Sequence, residues 1–216
     1  AFGAELGIDV YLQTGGPGTV KPLSAAARPL SYALPAFDLT LEFAPTDFIQ
    51  INAAVNEQMV AAAVELAAIG PADRVLDLYC GLGNFSLPLA RAAARVVGVE
   101  GEAGLVARAV RNAHANGIGN ASFVTADLAD AEWPFYRQPW DVVVLDPPRT
   151  GAAAAVAQMR RMGPQRVVYV SCHPATLARD ARTLESQGYS LRSARVLDMF
   201  PHTHHVEAMA LFERAA

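Results

Sequence analysis

The sequence predicts an α/β fold with a mostly parallel sheet, and two observations carry that reading. From about Asn52 onward, short apolar runs alternate with stretches of helical periodicity, the signature of strand–helix units layered around a sheet. The first fifty residues differ, with alternating apolar and polar side chains broken by Gly15-Gly16-Pro17-Gly18 and several prolines, which mark turns. Two units follow: a small β-rich piece over residues 1–50, read as part of a larger domain, and an α/β unit over residues 51–216.

The elements follow in order. The chain runs directly into strand-like sequence, with strands at 8–13 and 37–43. Val55, Met59, Ala62, Leu66 and Ile69 share one helix face, and Gly70-Pro71 ends that helix. A strand at 74–79, a helix at 84–94, a strand at 95–99, a helix at 102–116 and a strand at 121–125 come next. Strands at 140–146 and 166–171, a helix at 175–187 and strands at 189–197 and 207–212 complete the series. Strands alternating with helices at this spacing predict a sheet covered on both faces.

Composition narrows the class. Hydrophobic residues make up 52% of the chain, enough for a packed core and too many for a disordered segment. Charges interrupt every apolar run before the ~20 residues a membrane helix needs, and no secretory leader is legible. Two distant cysteines, Cys80 and Cys172, make no disulfide framework and point to a reduced, cytoplasmic setting. The net charge of −4 lacks the basic footprint of a nucleic-acid enzyme. The chain opens at Ala1 without methionine and is expected to be a fragment.

The segment 75–85 reads as a strand entering a glycine turn at Gly81 and Gly83 and then a helix. Such turns bring a ligand close to the backbone. The next strand ends at Glu100, placed to accept hydrogen bonds from ribose hydroxyls, and the third is followed by Asp127, placed for an adenine amino group. Ser86 stands where a third glycine would complete the dinucleotide pattern, which disfavours NAD and favours an adenosine ligand without pyrophosphate, such as S-adenosylmethionine (SAM).

The fourth strand of the α/β unit ends in Asp146-Pro147-Pro148-Arg149 and the fifth in Ser171-Cys172-His173-Pro174, both at carboxyl edges where open α/β sheets bind ligands. Arg149 stands where amino-group methyltransferases carry an aromatic residue, so exocyclic-amine chemistry fits less well. Cys172 reads either as a small core residue or as a nucleophile. His202, His204, His205 and Glu207 form either a polar loop with one carboxylate or, with Cys172, a metal site, although zinc-ligand spacing is missing. A thiol and a carboxylate beside a methyl donor suit methylation of a weakly nucleophilic carbon such as C5 of uracil. The thiolate adds at C6 and the carboxylate later removes the C5 proton, with Asp146 holding the base or the cofactor.

The segments 48–52, 76–85, 146–149, 171–180 and 197–207, five linked motifs in order, resemble the RNA uracil-C5-methyltransferase family. The resemblance is closest to its bacterial 23S ribosomal RNA (uracil(1939)-C5)-methyltransferase branch and covers residues 37 to the end. It implies a Rossmann-like SAM-dependent fold, a seven-stranded sheet with an antiparallel last strand. It also implies that Cys172 is the nucleophile and Glu207 the general base, that Gln50, Tyr79, Asn84, Glu100, Asp127 and Asp146 contact the cofactor along with the Gly81–Gly83 turn, and that a monomer acts on ribosomal RNA with the target base flipped out. The transfer-RNA branch and a non-catalytic SAM- or RNA-binding module are the alternatives. Full-length members carry a TRAM domain and a cysteine-bound iron–sulfur cluster, for which this chain has neither the length nor the cysteines; the missing part would supply RNA-binding charge. His173 stands where the family usually has asparagine, either tuning Cys172 or replacing an amide hydrogen bond, and Tyr79 replaces a usual phenylalanine.

Overall fold

The computed structural model describes residues 2–24 and 27–215. The chain opens with a short helix, α1 (Phe2–Leu6), where extended sequence was expected. The strand expected at 8–13 shrinks to β1 (Tyr11–Leu12), paired with β2 (Lys21–Pro22). Pro22 lies opposite Tyr11 and has no N–H with which to extend the ladder. A hairpin follows, β3 (Leu30–Leu34) and β4 (Leu39–Phe43). β4 starts two residues later than expected because Pro35–Phe37 form a 3₁₀ turn and Asp38 takes a left-handed conformation at φ 51°.

The α/β unit begins with α2 (Ala53–Ala67), capped by the Asn52 side chain accepting from the Val55 N–H at 3.2 Å. It ends at left-handed Ala68, before Gly70-Pro71. The chain continues through β5 (Arg74–Leu78), α3 (Ser86–Ala90), β6 (Arg95–Glu100), α4 (Ala103–Ala115), β7 (Ala121–Thr125) and β8 (Val142–Leu145). It finishes with α5 (Ala153–Ala157), α6 (Met159–Met162), β9 (Arg166–Ser171), α7 (Pro174–Ser186), β10 (Tyr189–Leu197) and β11 (Glu207–Arg214). The helix expected at 84–94 is only α3, because Asn84 and Phe85 stay in the turn and the Asn120 amide donates to the Ala90 and Ala93 carbonyls at 2.8 and 2.9 Å. Neither α5 nor α6 was among the expected elements.

Seven strands form one sheet in the order β10-β11-β9-β8-β5-β6-β7. β5 to β9 are mutually parallel, and β11 runs antiparallel between β9 and β10. The mostly parallel seven-stranded sheet with an antiparallel last strand is therefore present. Strand order reverses on either side of β5, so the crevice at its carboxyl end is the expected ligand site. Alternate residues feed two cores: Val75, Val142, Val144 and Val168 face α2, while Leu76, Val143, Leu145 and Tyr169 face α5 and α6. Among the described residues, no helix is long and apolar enough to cross a membrane.

The β3–β4 hairpin is seated on this body. Leu34, Leu39 and Leu41 join the core shared by α2 and the sheet. The outer edge of β4 is held by two asparagines one turn apart, Asn112 on α4 and Asn116 capping its end. Asn112 Oδ1 accepts from the Glu42 N–H at 2.9 Å and its Nδ2 donates to the Glu42 carbonyl at 3.1 Å. Asn116 does the same for Thr40, at 2.9 and 2.8 Å. Each amide thus mimics a neighbouring strand. Asn112 also donates to the Leu82 carbonyl in the glycine turn at 3.2 Å.

Removing that amide strands the Leu82 carbonyl and loosens the hairpin. Asn112→Ala should cost about 2 kcal/mol of stability, read by chemical denaturation. A loss within about 0.5 kcal/mol would mean that these bonds do not hold the hairpin.

Candidate active site

β5 runs into a backbone with little freedom. Tyr79 sits at φ 65°, a costly conformation for a residue with a side chain, and its N–H and that of Cys80 both donate to the Val99 carbonyl, at 2.9 and 3.1 Å. Gly81 at φ 54° and Gly83 at φ 100° continue the turn. A β-carbon on Gly81 would meet nothing within 4 Å, so the backbone there is open to a ligand. Glu100, at the end of β6, ties the turn down: its carboxylate accepts from the Gly81 and Glu102 N–H groups, each at 3.1 Å.

The other expected cofactor residues lie along the same edge in different states. Asp127 is exposed after β7, with Oδ1 accepting from the Ala129 N–H at 2.9 Å. Gln50 is half-buried just ahead of α2. The Asn84 amide is engaged within the protein, accepting from the Tyr32 hydroxyl at 2.9 Å and exchanging hydrogen bonds with Asn56 at 2.9 and 3.1 Å. Tyr32 and Asn56 are thus supports of the glycine turn that the sequence did not disclose. Tyr79 is partly buried, and burial with the nearby Asp180, Asp127 and Glu100 charges pushes its phenol up to about 12.

Carboxylates crowd this edge. Burial raises Asp77 to about 7 despite a 2.5 Å hydrogen bond from the Ser86 hydroxyl, and the Asp146 and Glu100 charges push the same way. Its second oxygen, Oδ1, is buried without a partner. Asp146, just past β8, is raised to about 7 by burial of its carboxyl. Glu207, 2% exposed, is raised to about 7 by burial and then by Asp146. Asp77 escaped the sequence reading; the available signal was an acid inside the apolar run of β5.

Register brings the thiol and the distal carboxylate together. Ala208 on β11 pairs with Ser171 on β9, Glu207 and Cys172 are the residues next beyond that pair, and the Glu207 charge acts on the Cys172 sulfur. Cys172 is partly open while Cys80 is buried. Burial raises the Cys172 thiol above its ordinary value, Glu207 and Asp146 add to that, and Arg149 opposes them. His173 caps α7 through its carbonyl, which also accepts from the Thr176 hydroxyl at 2.9 Å, and its Nδ1 lies 3.4 Å from that hydroxyl. Arg149 Nη1 lies 3.1 Å from His205 Nδ1. Among the described residues, no cluster of three His, Cys, Asp or Glu is arranged to hold a metal ion.

Comparison with known proteins places the chain in a family. Residues 35–215 match the family described as tRNA (Uracil-5-)-methyltransferase. The 23S rRNA (uracil(1939)-C(5))-methyltransferase RlmD of Xanthomonas axonopodis pv. citri is 54% identical over 99% of this chain and 49% of its own length. The chain thus spans about half the length of the curated relatives it matches. The crystal structure of Pyrococcus abyssi tRNA (uracil-54, C5)-methyltransferase in complex with S-adenosyl-L-homocysteine superposes with a TM-score of 0.79 at 28% identity, over 94% of this chain and 50% of that one. M. jannaschii TYW2 in complex with AdoMet, at 17% identity and a TM-score of 0.66 over 91% of both chains, shares the fold.

The raised carboxyls make stability depend on pH. A carboxyl whose folded value exceeds its unfolded value, about 4, binds protons more tightly when folded. Its contribution is full below that unfolded value and is lost as pH rises through about 7 for Asp77, Asp146 and Glu207. Tm of the ligand-free protein should therefore fall between about pH 5 and pH 8, and Glu207→Gln should flatten the fall. A Tm that is level or rising across that window would contradict these assignments.

Proposed function

The chain belongs to the tRNA (Uracil-5-)-methyltransferase family, and from that premise we propose that it transfers a methyl group from SAM to C5 of a uracil in 23S ribosomal RNA through a covalent Cys172 adduct. The observation that supports the chemistry is the β9–β11 pairing, which ends next to Cys172 and Glu207, with the Glu207 charge acting on the sulfur and the Asp146 charge on Glu207. The 54% identity to a ribosomal-RNA enzyme, against 28% to the transfer-RNA enzyme, favours the ribosomal substrate. Retention of both Cys172 and Glu207 argues against a non-catalytic module. In this reading residues 51–216 carry the chemistry, residues 1–50 belong to a neighbouring β-rich domain, and the enzyme works as a cytoplasmic monomer.

The residues present fit the methyl donor. The Asp146 and Glu100 charges both act on Asp77 near the end of β5, and Asp77 Oδ1 is buried without a partner, an arrangement suited to a ligand carrying positive charge. The Gly81–Gly83 turn, Glu100 and Asp127 would hold the adenosine half, with Gln50, Tyr79 and Asn84 around it and Asp146 toward the reacting end. Bound there, SAM supplies an electrophilic methyl group.

The protein's own residues do the rest. Cys172, as thiolate, adds to C6 of the flipped uracil and leaves electron density on C5. After C5 is methylated, Glu207 removes its proton, and elimination restores the ring and frees the thiolate. A carboxylate at about 7 is well matched to accepting a proton near neutrality.

Two variants test this with RNA carrying 5-fluorouracil, which has no C5 proton to lose. Cys172→Ala should abolish the covalent protein–RNA adduct; a surviving adduct would exclude this nucleophile. With ordinary uracil, Glu207→Gln should still form the adduct but slow its release by about 10²- to 10⁴-fold, the range for a lost general base. Release at the wild-type rate would remove Glu207 from the role.

A further inference from the structure

Arg149 is bracketed by the two chain segments that flank the thiol. Its carbonyl accepts from the Thr176 hydroxyl at 3.3 Å, in the first turn of the helix that follows Cys172. Its guanidinium Nη1 lies 3.1 Å from His205 Nδ1, two residues before Glu207. An arginine donates only, so at this contact Nδ1 is the acceptor and the imidazole carries any proton on its other nitrogen. The His205 ring is itself fixed, stacked on His204 at 4.5 Å between centroids and meeting the Phe200 edge at 5.6 Å. On the helix after Cys172, Arg179 is engaged elsewhere: its Nε donates to Asp180 at 2.9 Å and its Nη2 to the Thr150 carbonyl at 3.0 Å.

We infer that His205 is a positioning residue: by accepting from Arg149 it holds the guanidinium on the Cys172 side of the crevice, where the positive charge favours the thiolate over the thiol. The charged groups acting on the sulfur are Glu207 from β11, Asp146 from the end of β8, and Arg149. The first two oppose ionisation, as burial does, and Arg149 is the charged side chain that favours it, so its placement bears on how much reactive sulfur exists. Without an acceptor at residue 205, this exposed arginine swings into solvent and its influence is screened. This inference rests on the reading of Cys172 as a thiolate nucleophile.

The test is the pH profile of iodoacetamide alkylation, followed at the Cys172 peptide by mass spectrometry to separate it from buried Cys80. His205→Phe keeps a ring against Phe200 and His204 but removes the acceptor. It should move the profile to higher pH and slow Cys172 alkylation at neutral pH by about threefold. Arg149→Gln should do the same, the double variant should be no slower than Arg149→Gln alone, and His205→Gln, which restores an acceptor, should recover most of the rate. An unchanged profile in His205→Phe, or an undiminished effect of that change in the Arg149→Gln background, overturns the inference. Should His205→Phe not fold, Arg149→Gln decides: slower alkylation supports the assignment and an unchanged profile overturns it. The assay uses neither RNA nor methyl donor, so failure to form a uracil adduct would sink the proposed reaction without touching this result.

Discussion

The pairing of β11 with β9 is the constraint on which the rest depends. Cys172 and Glu207 lie far apart in sequence and meet because an antiparallel strand is inserted between β9 and β10 in one fixed register. Side chains alternate faces along a strand, so a slip of one residue would turn Glu207 to the opposite face and leave the thiol without its carboxylate. The last strand thus joins β10 to the rest of the sheet and brings the candidate carboxylate to the thiol in the same act, and its apolar residues Met209, Ala210 and Phe212, buried among both cores, hold that register.

Electrostatics at this edge runs against comfort. Asp77, Asp146 and Glu207 are taken out of water close enough for their charges to act on one another, and each holds its proton into the neutral range. Folding alone would favour fewer acids here. A cationic ligand resolves the conflict, since it stabilises the ionised acids that apo burial disfavours. The same crowding works against the thiolate, which is why a single guanidinium carries weight out of proportion to its exposure.

Much of this was legible in the sequence, for identifiable reasons. The parallel core was readable because Val75–Leu78, Val96–Val99 and Val142–Leu145 are apolar runs set at strand–helix spacing. The candidate residues at strand ends were proposed from the rule that such ends bind ligands, and Glu100 and Asp146 do lie at the ends of β6 and β8. The hairpin strand Leu30–Leu34 was hidden by the prolines on either side of it, and the short helices after β8 are too brief for periodicity to show. Asp77 and the Tyr32–Asn56–Asn84 group were invisible for another reason: their meaning lies in contacts between residues distant along the chain. The family resemblance named positions but not these supports.

The seam between hairpin and helix has an evolutionary corollary. Asn112 and Asn116 grip the backbone of Glu42 and Thr40 and leave their side chains alone. Any sequence able to run extended can occupy that berth, so the outward face of β4 is free to drift. The gripping residues enjoy no such latitude, because each amide must give one hydrogen and take another from the same peptide unit; aspartate takes without giving, and a hydroxyl is too short to span both. Diversity should therefore accumulate on the clasped strand and vanish at the clasp.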